Sequence, residues 1–108
     1  MIPSIDVKTL KQYFDNKPDV CIIDVREADE WAQGHIPKAH HIPKNQLSTR
    51  IHEIGVDSTH TIYLHCRSGV RSLQAGEALQ AMGYTAVYSV EGGIIAWADA
   101  GYPINHPI

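Results

Sequence analysis

The amino-acid sequence predicts an α/β domain with an open, mainly parallel five-stranded sheet flanked by helices on both faces. Short apolar runs rich in β-branched residues alternate with stretches of helical periodicity along all 108 residues, which is typical of this class. The apolar runs are continuous, as in strands buried on both faces, and glycines end several of the helical stretches. Helical crossovers between parallel strands then place any binding site at the carboxyl ends of the strands.

The first predicted elements are a helix, a strand and a second, acidic helix. Asp6 is a suitable N-cap for the stretch VKTLKQYF, in which Val7, Leu10 and Phe14 recur at helical intervals. The segment DNKPD interrupts that pattern, and the apolar run VCIIDV follows as a strand. READEWAQG predicts a short helix that ends at Gly34.

The middle of the chain repeats this alternation. HIPKAHHIP contains two prolines and predicts only a brief extended piece. NQLSTRIHEIG returns to helical spacing through Leu47, Ile51 and Ile54 and again ends with a glycine. TIYLHC is the next buried strand.

The clearest helix follows that strand. In VRSLQAGEALQAMG we expect Val70, Leu73, Leu79 and Met82 on the buried side, with Gly83 as the C-terminal stop. AVYSV then predicts a further strand, GGIIAWADAG a last short helix, and YPINHPI a tail.

Length and charge restrict the kind of function. The length suits one domain spanning residues 1–108, with room for one modest core. A net charge of −3 argues against general binding of nucleic acid or of anionic membranes. There is no apolar run of membrane-spanning length and no pattern typical of a signal peptide. We therefore expect a cytoplasmic protein, or a periplasmic one if an export signal was removed before this numbering.

The two cysteines and seven histidines do not form a recognisable metal or disulfide pattern. A single pair as far apart as Cys21 and Cys66 is no disulfide framework, so we expect reduced thiols. Cys21 lies inside an apolar run, where free cysteine most often serves as a small core residue. No pair of histidines has the spacing of a zinc motif together with a cysteine pair. We expect no metal site.

Cys66 stands at a position suited to an anionic sulfur. It ends a predicted strand and precedes a helix, where backbone N–H groups and the helix dipole attract negative charge. The nearby cations Arg67 and Arg71 are expected to lower the pKa of the thiol. Gly69 allows the backbone to curl, so that successive N–H groups can face inward. The sequence thus predicts a cup of amides around the sulfur.

Three segments together resemble the rhodanese-like sulfurtransferases. CRSGVRS, which begins at Cys66, resembles the active-site loop of that family. DVREADEWAQGHIPKAHHIP, from Asp24 to Pro43, is similar to its N-terminal signature, and GGIIAWADAGYPI, from Gly92 to Ile104, to its C-terminal one. The three occur in the family's order with the spacing of a single-domain member, so the resemblance covers the whole chain.

The resemblance implies a sulfurtransferase that needs no cofactor. Cys66 would be the catalytic residue and would carry a persulfide, inside a six-residue loop that ends at Arg71. The implied substrates are a small sulfur donor, such as thiosulfate, and a nucleophilic acceptor, such as cyanide, a small thiol, thioredoxin or another thiol protein. The substrate-binding positions would be Arg67, Ser68, Gly69, Val70, Arg71 and Ser72, with the two arginines holding the anionic end of the donor.

Two alternatives stay open. Phosphatases and arsenate reductases share this fold and resemble one another in having five residues between the cysteine and the arginine. Here only four residues separate Cys66 from Arg71, and Ser72 stands where those enzymes would carry arginine. The smaller loop favours a single sulfur atom over a tetrahedral oxyanion. The other alternative is a non-catalytic binding module, but such members of the family often lack the cysteine.

Other notable residues are expected to be structural. In the family, Asp24 and Arg26 look like an ion pair or a cap near the end of the sheet. Alternation along the strand turns the side chain of His65 away from Cys66, which favours packing or hydrogen bonding over general-base catalysis. Trp31 and Trp97 are expected to pack in the core or at its rim, although the position of Trp97 in the last signature is also compatible with shaping access to the site.

Overall fold

A sheet of short parallel strands lies at the centre of the computed structural model, which describes residues 2–106. Within that range the strands are β1 (Ser4–Ile5), β2 (Cys21–Asp24), β3 (His40–His41), β4 (Ile62–His65) and β5 (Val87–Val90). They lie in the order β1-β5-β4-β2-β3, and every neighbouring pair is parallel. The predicted open parallel sheet is confirmed.

The helices occupy the predicted stretches. They are α1 (Val7–Asn16), α2 (Ala28–Gln33), α3 (Leu47–Arg50), α4 (Val70–Ala81) and α5 (Gly93–Asp99). Asp6 caps α1 as predicted, because its Oδ1 accepts a hydrogen bond from the Thr9 N–H at 2.7 Å. The predicted helix around α3 is divided, since 3₁₀ turns over Lys44–Gln46 and Ile51–Ile54 precede and follow it. Among the described residues, every helix is too short or too polar to span a bilayer.

The two faces of the sheet bury two separate apolar clusters. Ile23, Leu64, Cys66 and Val87 point to the face covered by α3 and α4, where Leu47 and Leu79 pack against them. The opposite face is covered by α1 and α5, and its cluster contains Leu10, Phe14, Ile22, Tyr63, Val90 and Trp97. This division follows from the alternation of side chains along each strand. It places Cys66 and His65 on opposite faces, as predicted.

The buried side of α4 differs from the prediction. Val70 is 64% exposed, Leu73 40% and Met82 45%, so only Leu79 of the four predicted residues is buried. The buried positions are Ser72, Ala75, Gly76 and Leu79. At Gly76 a small residue is required because α4 approaches the segment before β1 closely: a Cβ there would lie 2.9 Å from Ile2 Cγ1. Hydrophobic periodicity therefore identified the helix but not its packed side.

Trp97 belongs to the core and does not line the active-site mouth. Its side chain is completely buried, and its Nε1 donates a hydrogen bond of 2.7 Å to the Pro103 carbonyl. Its ring packs edge-on against Phe14 at a centroid distance of 5.4 Å. Of the two roles considered for this residue, the structure supports packing.

A buried ion pair fixes the end of β2. Asp24 is fully buried and Arg26 is 6% exposed. The Arg26 Nη2 donates 2.7 Å bonds both to Asp24 Oδ2 and to the Gly34 carbonyl, which ties the strand end to the end of α2. Beside them, the ring of His65 is buried, with its Nε2 3.6 Å from Asp24 Oδ2. Burial lowers the pKa of His65, so the ring is neutral. The structural roles expected for these residues are confirmed.

Candidate active site

The loop Cys66–Arg71 begins directly after β4 and continues into the first turn of α4, at the carboxyl edge of the sheet. β4 ends at His65, Cys66 follows it, and α4 begins at Val70. Cys66 is only 1% exposed. The thiol therefore lies at the base of the loop, where the strand end and the first turn of the helix direct N–H groups toward it.

Hydrogen bonds to the sulfur explain its acidity. The Gly69 N–H donates to Cys66 Sγ at 3.1 Å. Burial raises the pKa of the Cys66 thiol, but backbone N–H groups of Ser72, Gly69 and Ser68, together with the Ser72 hydroxyl, lower it by more. The net pKa lies below the ordinary value, as the sequence predicted. The prediction named backbone N–H groups first and added the charges of the two arginines. Hydrogen bonds, mostly from backbone N–H groups, are the largest causes that lower the pKa.

Ser72 contacts the loop from its buried side. Its Oγ lies 3.7 Å from Cys66 Sγ, 3.0 Å from the Gly69 carbonyl oxygen and 2.7 Å from Ser89 Oγ, so the hydroxyl has hydrogen-bond partners on three sides. Ser72 and Ser89 are both buried. The hydroxyl pair thus links the sulfur to the neighbouring strand β5, and Ser72 contacts the sulfur from inside the protein.

The N-terminus of α5 holds the outer side of the loop. The Ile94 N–H donates to the Cys66 carbonyl at 3.0 Å, and the Ile95 N–H to the Arg67 carbonyl at 3.3 Å. Gly93 makes this approach possible, because a Cβ there would lie 2.5 Å from both carbonyl oxygens. Because these two carbonyls accept hydrogen bonds from α5 on the outer side of the loop, the N–H groups of the loop are free to face the sulfur.

The two arginines of the loop have different surroundings. Arg67 is exposed and has neither an ion-pair nor a side-chain hydrogen-bond partner within residues 2–106. Arg71 binds the carboxylate of Glu30 on α2 through two hydrogen bonds, Nη1–Oε1 at 2.6 Å and Nη2–Oε2 at 2.9 Å. Among the residues that the structure describes, Arg71 is thus paired and Arg67 is not.

The remaining predicted loop positions are exposed or conformational. Ser68 and Val70 are exposed. Gly69 has φ +120°, which favours glycine, although a Cβ there would meet only ordinary contacts beyond 3.8 Å. Across residues 2–106, no three His, Cys, Asp or Glu side chains lie close enough to hold a metal ion.

Sequence reasoning did not find three residues that shape this site: Glu30, Ser89 and Gly93. The Gly92–Gly93 pair belongs to the C-terminal segment that resembles the family signature and follows β5 after one residue. Because β5 is the neighbour of β4 in the sheet, this pair is the signal that points to the loop. Glu30 gives no comparable signal, because its partner Arg71 is 41 positions away.

The lowered pKa gives a direct test of the hydrogen-bonded sulfur. In a Cys21→Ala background, Cys66 is the only thiol of the chain. Its alkylation rate should rise with pH to a midpoint below the ordinary thiol value of about 8.5. Ser72→Ala should move that midpoint upward by removing the hydroxyl, whereas Ser68→Ala should not move it, because only the Ser68 backbone reaches the sulfur. A midpoint at or above the ordinary value would contradict the geometry.

Comparisons with known proteins give matches along nearly the whole chain. The model of the rhodanese-like domain family matches residues 6–100. A sulfurtransferase of Allochromatium vinosum is 43% identical over 107 residues, which cover 99% of this chain and 98% of that protein. Relatives with this name support a rhodanese-type transferase.

Solved structures of this family have the same fold. A rhodanese-like domain protein from Staphylococcus aureus superposes with a TM-score of 0.86 at 33% identity, covering 99% of this chain and 100% of the other. Thiosulfate sulfurtransferase from Pseudomonas aeruginosa gives 0.89 at 25% identity, with 99% of this chain matching 21% of that one. The fold, the strand-to-helix cysteine loop and the family match lead to one conclusion: this chain belongs to the rhodanese-like domain family.

Proposed function

We propose that this protein transfers a sulfane sulfur from thiosulfate or a similar donor to a nucleophilic acceptor, through a persulfide on Cys66. The observation that carries the proposal is the buried Cys66 sulfur that accepts a 3.1 Å hydrogen bond from the Gly69 N–H, in a loop whose Ser68 and Ser72 N–H groups also lower the pKa of the thiol. Such a set of N–H groups stabilises a negative sulfur without any bound ion. These surroundings favour the thiolate, which is the nucleophilic form of a cysteine.

In the first half-reaction the Cys66 thiolate attacks the outer sulfur of thiosulfate. A new S–S bond forms at Cys66, the S–S bond of the donor breaks, and its electron pair leaves with sulfite. The charge balances, because a monoanion and a dianion give a persulfide monoanion and the sulfite dianion. Arg67, exposed and unpaired among the described residues, would attract the sulfonate end of the donor.

In the second half-reaction an acceptor removes the outer sulfur. Cyanide attacks the terminal sulfur of the persulfide, thiocyanate leaves, and the electron pair of the broken S–S bond restores the Cys66 thiolate. A thiolate acceptor, on a small molecule or on a protein such as thioredoxin, takes the sulfur in the same way. The loop N–H groups stabilise the negative charge on the sulfur in both half-reactions, so the transfer requires no cofactor.

The depth of the thiol favours sulfur over phosphorus as the centre that is attacked. Because Cys66 is 1% exposed, a donor has to present a projecting atom to its sulfur. The outer sulfur of thiosulfate projects by one bond, whereas a phosphorus is surrounded by four oxygens. The four-residue interval between Cys66 and Arg71 and the buried Ser72 hydroxyl leave no guanidinium at the position that phosphatases use.

The test is the intact mass of the protein after incubation with thiosulfate. We expect the addition of one sulfur atom, its removal by cyanide, and the release of one thiocyanate for each sulfur lost. Failure of the protein to load from any sulfane donor would favour a non-catalytic binding module. Hydrolysis of an aryl phosphate without sulfur loading would favour the phosphatase-like relatives.

A further inference from the structure

Glu30 holds Arg71 in a fixed, fork-shaped contact beside the loop. Both oxygens of the carboxylate accept from the guanidinium, at 2.6 and 2.9 Å. Oε1 also accepts a 3.0 Å hydrogen bond from the Glu27 N–H, which belongs to the capping box at the start of α2. The carboxylate is therefore oriented both by the helix that carries it and by the arginine.

This contact changes the charge that a substrate meets at the loop. The hydrogen bond with Arg71 lowers the pKa of Glu30 to about 2, so the carboxylate is ionised at any working pH. The pair carries no net charge, and the carboxylate of Glu27 also lies close enough to interact with Arg71. Within the described residues, Arg67 is then the loop cation left without a partner.

We propose that Glu30 is a specificity-determining residue that offsets the charge of Arg71 and so disfavours dianionic sulfur donors relative to monoanionic ones. The proposal rests on the sulfur transfer proposed above and concerns which donors the same site takes. Inorganic thiosulfate carries two negative charges, whereas an organic thiosulfonate or an organic persulfide carries one. With Arg67 as the one unpaired loop cation among the described residues, the second negative charge of thiosulfate has no cation of its own.

The test replaces the charge of Glu30 while keeping its shape. Glu30→Gln retains an oxygen that can accept from Arg71 but leaves the guanidinium charge unopposed. The interaction of a donor with that charge scales with the donor's own charge. We therefore expect KM for thiosulfate to fall ~10-fold and KM for benzenethiosulfonate, a monoanion with the same transferable sulfur, to fall ~3-fold. The value of kcat should change little, because the loop N–H groups are untouched.

The double variant Glu30→Gln/Arg71→Gln is the matched control. It has the net charge of the unmodified site, and glutamine at position 71 is a polar, uncharged residue two non-hydrogen atoms smaller than arginine. If charge determines the preference, the ratio of kcat/KM between the two donors should return close to the original ratio. A ratio that stays as in Glu30→Gln would overturn the proposal, and so would a Glu30→Gln variant in which kcat falls equally for both donors with KM unchanged.

The unmodified protein supplies a second measurement that does not depend on a variant folding. If Arg71 is offset, kcat/KM for thiosulfate should change less than about threefold between ~0.02 M and ~0.3 M salt. A steep fall with salt would mean that both arginines attract the donor, and would overturn the proposal. Absence of sulfur loading from both donors would instead refute the proposed function itself, so the two failures are distinguishable.

Discussion

Cys66→Ser is expected to abolish sulfur loading and to reduce thiocyanate formation by on the order of 10³-fold or more. The serine hydroxyl fits among the same N–H groups, but it is not ionised at neutral pH and its oxygen forms no persulfide. Intact mass after thiosulfate treatment and the rate of thiocyanate release measure the two effects. Because the substitution is nearly isosteric, the thermal unfolding midpoint should stay close to that of the unmodified protein.

Cys21→Ala is the control for this change. Cys21 is buried in the cluster beneath α4, and burial raises the pKa of its thiol to about 11. It should therefore be inert at neutral pH, and its removal should cost only on the order of 1 kcal/mol of stability through the small cavity left behind. Equal loss of sulfur loading in both variants would contradict the assignment of the nucleophile.

Gly93→Ala is expected to damage both the fold and the loop. The added Cβ would lie 2.5 Å from the carbonyl oxygens of Cys66 and Arg67, which are backbone atoms and cannot rotate away. The N-terminus of α5 has to move, and the two hydrogen bonds that it donates to these carbonyls weaken or break. We expect a loss of roughly 3 kcal/mol in the free energy of unfolding and about 10²-fold in thiocyanate formation, since small displacements of reacting groups are costly.

Gly101→Ala is the control that distinguishes the effect of this close contact from the effect of backbone strain. Gly101 lies just beyond the other end of the same helix. Gly101 also has a positive φ of +79°, but a Cβ there meets no atom within 4 Å. It should lose only about 1–2 kcal/mol, the usual cost of a left-handed conformation for an L-residue, and keep its sulfur transfer. Thermal unfolding together with thiocyanate release compares the two variants. Similar behaviour of both would mean that α5 does not hold the loop.

The elements that could be predicted from sequence are those whose local pattern decides their structure. Each of the four residues of β2 and of β4 is buried, so their apolar runs are unambiguous. β1 was not located, because its two residues carry no periodicity of their own. Hydrogen bonds with the β5 segment define this strand: the Ser89 N–H donates to the Pro3 carbonyl at 3.0 Å, and the Glu91 N–H donates to the Ile5 carbonyl at 2.8 Å.

The candidate site was predictable in position and only partly in its interactions. Cys66 is found by the order of strand, turn and helix, which is local information. The partner of Arg71 and the close approach of Gly93 depend on how α2 and α5 fold back over the loop, and no pattern within the loop encodes them. For this reason the sequence suggested two free arginines, whereas the structure pairs Arg71 with Glu30. The predicted role of Arg71 in holding the donor stays a prediction.

Both edges of the sheet are formed by two-residue strands, β1 and β3. Unpaired N–H and C=O groups along an edge strand are a template on which a second chain can add a strand, which is a common start of aggregation. Here each edge offers very little such backbone, and Pro3 immediately before β1 and Pro43 shortly after β3 have no N–H to donate. The edges of this sheet thus offer few free backbone groups with which a strand of another molecule could pair. The short edge strands therefore disfavour self-association by strand pairing at high concentration.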